Sequence, residues 1–108
     1  MHAIGDKAFV QAVRAIKAAL DDLPREDHRH TIIHACLPTA EEIAVCERYH
    51  INLAVQTAFI DWPQEPDSYL EQILGERAGR LNPIRTFCEH GLILSAGSDG
   101  PCTDPDPL

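Results

Sequence analysis

The chain has 108 residues, room for one domain with a modest core. Seventeen acidic residues against nine basic ones leave a net charge of -8, which repels phosphate backbones and anionic lipid, so nucleic acid and membrane surfaces are not the expected partners. No apolar run approaches the roughly 18 residues of a membrane span, and no basic-then-apolar leader opens the chain, so a cytoplasmic protein is expected. The four cysteines, Cys36, Cys46, Cys88 and Cys102, include no C-x-x-C pair and read as free, buried thiols of a reducing compartment.

In chain order, His2 stands directly after Met1 and leads into a glycine and a helix cap, where the tip of a truncated strand would lie, so the chain reads as beginning in the middle of something. Asp6 is a good helix cap. Phe9, Ala12, Val13, Ile16, Ala19, Leu20 and Leu23 recur at three- and four-residue spacing, which predicts an amphipathic helix over 7–22 that Pro24 stops. After a polar connection, the β-branched run Thr31 to Ala35 predicts a strand, ended by Pro38. Thr39 to Glu42 spells a capping box opening a helix over 39–50, and Asn52 to Gln56 is another apolar strand.

The longest irregular stretch, from Thr57 to about Leu81, holds room for one short helix around Tyr69-Leu70 and Ile73-Leu74. Its aromatic residues Phe59, Trp62 and Tyr69 favour a lid over a site. Asn82 and Pro83 open a helix over 82–90 that Gly91 ends. Leu92 to Ala96 then reads as a strand buried on both faces, running into Gly97-Ser98-Asp99-Gly100-Pro101. Helices alternating with strands imply a parallel sheet with right-handed crossovers.

Three polar residues occupy equivalent places. His2 stands at the tip of a truncated strand, His34 ends one strand, and Asp99 ends the last. In parallel α/β folds the carboxyl ends of the strands form the ligand crevice, so these side chains can converge there. Two imidazoles and a carboxylate suit zinc, iron or manganese. Each residue also has a plainer use, Asp99 as a turn cap and the histidines as hydrogen-bonded core residues. His28-Arg29-His30 spells H-x-H but precedes a strand, at the edge away from such a site, and reads as exposed loop histidines. His90 fits a helix C-terminus through the dipole.

The segments His2-Ala3-Ile4-Gly5-Asp6, Arg29-His30-Thr31-Ile32-Ile33-His34-Ala35, Val55-Gln56, and Gly97-Ser98-Asp99-Gly100-Pro101 with Asp106-Pro107-Leu108 resemble the C-terminal part of an amidohydrolase. The resemblance is to family 3, which includes N-substituted formamide deformylase-like proteins, and it runs along essentially the whole chain. It implies an α/β fold that is part of a (β/α)8 TIM barrel. Three parallel strands at about 31–35, 52–56 and 92–96, the barrel's sixth to eighth, would alternate with helices at about 7–22, 39–50 and 82–90.

The resemblance further implies that His2 and His34 are metal ligands, and that Asp99 is both a ligand and the general base. The metal is expected to be zinc, with iron or manganese as alternatives. In the family mechanism a metal-bound water attacks an amide or related C-N bond of a small-molecule substrate, and the aspartate passes the proton to the leaving amine. The sequence departs from the family at Ile33, where Glu is common, at Cys36, where Gln is common, and at Thr57, where Pro is common. The family's H-x-H pair and bridging lysine or glutamate come from strands with no counterpart here. A whole barrel takes about 250 residues. The chain is therefore expected to be part of a metal-dependent hydrolase, inactive alone and prone to self-association. The alternative is a non-enzymatic half-barrel binding module that dimerises.

Overall fold

The computed structural model describes residues 1–106. Four strands, β1 (His2–Ala3), β2 (Thr31–His34), β3 (Asn52–Val55) and β4 (Leu94–Ala96), form one parallel sheet in the order β1-β2-β3-β4. Four helices, α1 (Asp6–Asp22), α2 (Ala40–Tyr49), α3 (Asp67–Leu74) and α4 (Ile84–Glu89), lie between them in sequence. The alternation read from the sequence is present, with one strand more than expected. His2 and Ala3 pair in register with Ile33 and His34, and the amide of Ile33 donates to the carbonyl of Met1 at 2.7 Å.

Period-two alternation divides the sheet into two unlike faces. On one, Ala3, Ile32, Leu53 and Val55 are buried in a single core with Phe9, Val13, Ile16 and Leu20 of α1, Ile43 and Cys46 of α2, Ile51, and Phe87 of α4. Each large side chain so removed from water is worth about 1.5–3 kcal/mol, which is what holds the helices on this face. On the other face the register row His2, Ile33, Ala54 and Ser95 is covered by no helix among the described residues and runs from half-buried to exposed.

Helix ends follow the local chemistry. His50 adopts a left-handed φ of 53° and its amide closes α2 onto the carbonyls of Cys46 and Glu47. Gly91, at φ 65°, turns the chain out of α4 toward β4. The first helix begins one residue earlier than expected, with Gly5 in the capping place and Asp6 inside the first turn, where its carboxylate accepts the amide of Lys7 at 2.7 Å. The Thr39 hydroxyl donates to the carboxylate of Glu42 instead of taking a backbone amide, so the box closes side chain to side chain. Asn82 has a left-handed φ of 48°, which delays α4 until Ile84.

Two expectations are corrected. The last strand is not buried on both faces. It is three residues long, with Ser95 and Ala96 exposed, because it pairs only with β3 and is backed by a helix of only six residues. All four cysteines are free, but only Cys36 and Cys46 are buried, whereas Cys88 and Cys102 are exposed. Cys88 stands beside the buried Phe87 on α4, and a one-residue step around a helix turns it to solvent. No helix among the described residues is long and apolar enough to cross a membrane.

The excursion between β3 and α4 packs over the carboxyl ends of the first two strands. Its return at Asn82 donates a backbone hydrogen bond to the carbonyl of Cys36 at 2.8 Å, just past β2. Arg77 reaches Asp6, just past β1, at 3.0 Å. The Asp6 carboxyl is held below the usual carboxylate range by the Lys7 amide and, further, by this guanidinium.

Candidate functional site

β2 ends in an unusual way. His34 and Ala35 both have positive φ, 76° and 52°, a region that residues with a Cβ seldom enter. Strict alternation would send the His34 ring to the helix side with Ile32. Rotation of φ about its N–Cα bond carries the ring away from that side, and it meets His2, the register partner of Ile33. Such strain of about 1–3 kcal/mol persists only where surroundings over-determine it, and it clusters at functional sites.

The ring of His34 is 5% exposed and hydrogen-bonded at both nitrogens. Its Nδ1 lies 2.8 Å from Oε1 of Gln56, the first residue beyond β3, and its Nε2 lies 2.9 Å from Nδ1 of His2. An amide oxygen only accepts, so His34 Nδ1 carries the proton and donates to Gln56. The Nε2 of neutral His34 is then an acceptor, and His2 Nδ1–H donates to it. Phe59 stacks on the His34 ring at 5.9 Å between centroids and 5° between planes, and Trp62 stacks on Phe59 at 5.1 Å. One aromatic of the expected lid, Phe59, thus covers the imidazole and Trp62 backs it, while Tyr69 is exposed on α3.

Asp99 stands beyond β4 in a tight turn with φ 61°, its carbonyl accepting the amide of Cys102 at 3.0 Å. Gly97 is held to β3 through the Val55 carbonyl at 3.0 Å. The structure brings His2 and His34 together and leaves Asp99 outside their contact. At about 4.8 Å per strand, β4 lies about 10 Å from β2 and about 14 Å from β1. Among the described residues, no three His, Cys, Asp or Glu side chains form a group able to hold a metal ion.

The donor chemistry fits a metal in part. Histidine ligands characteristically donate their second ring N–H to a neighbouring acceptor, as His34 does to Gln56, which turns a lone pair outward at the other nitrogen. Two nitrogens on a tetrahedral zinc at about 2.05 Å stand about 3.3 Å apart, close to the 2.9 Å between His2 Nδ1 and His34 Nε2. In the contact itself His2 Nδ1 carries the proton, so both nitrogens would face one cation only after His2 moved that proton to its Nε2.

A model of the amidohydrolase family, family 3, matches residues 1–108. The chain belongs to the amidohydrolase family. No curated protein and no solved structure matches it. The α/β fold with its parallel sheet is compatible with part of that family's barrel, and the family makes the chain a hydrolase by kinship. Pro107 and Leu108, which close the resembling sequence, lie outside the described residues.

Two of the other histidines of this amidohydrolase chain hold local structure through their rings. His28 Nδ1 accepts the amide of His30 at 2.9 Å and its Nε2 donates to the Tyr49 carbonyl at 2.8 Å, tying the loop before β2 to the end of α2. This half-buried His28 is better held than an exposed loop histidine, while His30 is exposed. His90 contacts the Glu47 carboxylate at 2.8 Å, a side-chain partner in place of the helix dipole alone. Gln56 was legible only as part of a motif. A polar residue ending an apolar strand is the same signal that marks His34, and it could have assigned Gln56 the role of orienting that ring.

Proposed function

We propose that this chain is part of a metal-dependent hydrolase of C-N bonds in small amide-like molecules, of the N-substituted formamide deformylase type. His2, His34 and Asp99 would hold a divalent cation, zinc before iron or manganese, and Asp99 would act as general base. The observation that carries the reading is the His2–His34–Gln56 chain, with contacts of 2.9 and 2.8 Å at the strand ends of a chain in the amidohydrolase family. A cation bound there supplies a Lewis acid and makes water a stronger acid. Gln56 fixes the His34 tautomer, and the Phe59–Trp62 stack keeps water from one side of that ring. In this reading Asp99, on the turn past β4, would take a proton from water and release it to the leaving amine.

Alone, the chain is proposed to be inactive, because nothing in it replaces the H-x-H pair or the bridging lysine. The test is metal content after dialysis against zinc, with turnover of N-formyl and N-acyl amines measured in parallel. Loss of stoichiometric zinc in both His2→Ala and His34→Ala supports the reading, and zinc retained in both variants refutes it. Turnover by the isolated chain refutes the proposed inactivity. A second reading, a non-enzymatic half-barrel module that dimerises, is favoured by the lack of a third ligand among the described residues. Stable dimers without stoichiometric metal would decide for it.

A further inference from the structure

We propose that the excursion between β3 and α4 is a lid that opens as a unit over His34, and that the Arg77–Asp6 ion pair is the latch that keeps it shut. Every contact in this device lies within residues 6–82, and it stands whether or not His34 holds a cation. From Thr57 to Arg80 the chain runs through a 3-10 turn (Thr57–Phe59), α3 and a second 3-10 segment (Gly75–Arg80), and none of these residues is buried. A segment that buries no apolar side chain belongs to the low end of local stability and opens well before the core does. α3 packs chiefly on the Gly75–Arg80 segment, so the excursion moves as a small body.

The contacts that hold it down sit at its two ends. At the root, the amide of Phe59 donates to the Gln56 carbonyl at 3.1 Å. One turn thus delivers the Gln56 side-chain oxygen to the edge of the His34 ring and the Phe59 ring to its face. At the far end, Arg77 Nη1 donates to the Asp6 carboxylate at 3.0 Å, and the Asn82 amide donates to the Cys36 carbonyl at 2.8 Å. Arg77 Nε also donates at 3.4 Å to the carbonyl of Leu74, the last residue of α3, so one guanidinium ties α3 to the start of α1. The ion pair spans 71 positions of sequence, and closing it brings down the outer half of the excursion as a whole. Gly75, at φ 58° and ψ -136°, is the pivot between α3 and the Arg77 segment, in a conformation that side chains disfavour.

The strength of the latch suits a lid. Its two side chains are 46% and 45% exposed, so water competes for the pair and salt screens it. A contact of that kind shifts an equilibrium between open and closed states severalfold without locking it. Beneath the lid His34 is 5% exposed, which makes the observed arrangement the closed one.

Carbethoxylation of the metal-free chain by diethyl pyrocarbonate, read residue by residue by mass spectrometry, tests this. His34 should react far more slowly than the exposed His30, which serves as the internal reference. Arg77→Gln should raise the His34 rate relative to His30 about two- to fivefold, the range an exposed ion pair supports. Asp6→Asn should do the same, and the double variant no more than either alone. Phe59→Ala, which strips the ring's face, should raise the ratio at least about tenfold. Lys17→Gln, which severs the exposed Lys17–Asp21 pair, should leave it unaltered. Salt at about 1 M should raise the ratio in the wild type and not in Arg77→Gln. The buried Cys46 thiol reports opening of the whole fold and should stay unreactive throughout. An unchanged ratio in Arg77→Gln overturns the latch. A wild-type His34 as reactive as His30 overturns the closed lid, and His34 modification that tracks exposure of Cys46 overturns its opening as a unit.

Discussion

Replacing Gln56 with Leu removes the acceptor that holds His34 and keeps the side chain's size. Gln56 is 7% exposed and His34 5%, so no solvent stands ready to take the orphaned Nδ1–H. Leaving a buried donor unpaired costs about 1–3 kcal/mol. The imidazole has an escape, however. Its proton can move to Nε2 and be donated to His2 Nδ1, now 2.9 Å away and turned acceptor. That exchange recovers part of the loss, and we expect a net destabilisation near the lower end, about 1 kcal/mol. It does so by consuming the lone pair a cation would need, so zinc or cobalt affinity should fall further, by about 10–100-fold. Guanidinium unfolding of the metal-free protein and competitive cobalt titration measure the two effects separately. Gln56→Glu retains an acceptor and should restore most of the affinity. Unchanged cobalt affinity in Gln56→Leu would refute the reasoning, as would an affinity loss no larger than the stability loss.

Other consequences follow from burial. With Cys36 and Cys46 buried and Cys88 and Cys102 exposed, a thiol reagent at neutral pH should modify two sulfurs quickly and the other two only after denaturation. Burial pushes the Cys46 thiol up to about 12 and Cys36 up to about 11, from an ordinary 9.0. The folded state thus holds these protons more tightly than the unfolded chain. Their contribution is whole below about pH 9 and is lost as pH rises toward 12, up to about 4 kcal/mol for Cys46. Denaturation midpoints should fall across that window, with a shallower slope in Cys46→Ala. Phe87 is fully buried and is the only fully buried side chain of the short helix α4, so Phe87→Ala should cost about 3–5 kcal/mol, measured by thermal unfolding.

Much of this molecule is legible in its sequence, for identifiable reasons. The spacing of Phe9, Val13, Ile16 and Leu20 forces a helix, and the β-branched run before His34 forces a strand, because each pattern buries its apolar side chains on one face only. The exposure of β4 was not legible. Leu92-Ile93-Leu94 reads as buried on both sides, yet local pattern cannot report that one face of the sheet is covered by no helix. The first strand was too short to announce itself and exists through pairing with β2. At the site, a histidine ending a strand was visible, whereas the left-handed turn at His34 and Ala35 was not, since residues with a Cβ enter that region only at a few per cent of positions. Asp99 was marked by its glycines, but its distance from the histidines depends on strand order, which no local motif encodes.

The central claim is that His2 and His34 jointly offer one cation a pair of nitrogens. Long-range 15N–1H spectra of the six imidazoles during a zinc titration test it directly. The account predicts that His2 Nδ1 and His34 Nε2 shift together and saturate at one zinc per site, while His28, His30, His50 and His90 hold still. Zinc that moves the loop histidines first, or that leaves the 2.9 Å contact between His2 and His34 unaltered at saturation, would contradict it.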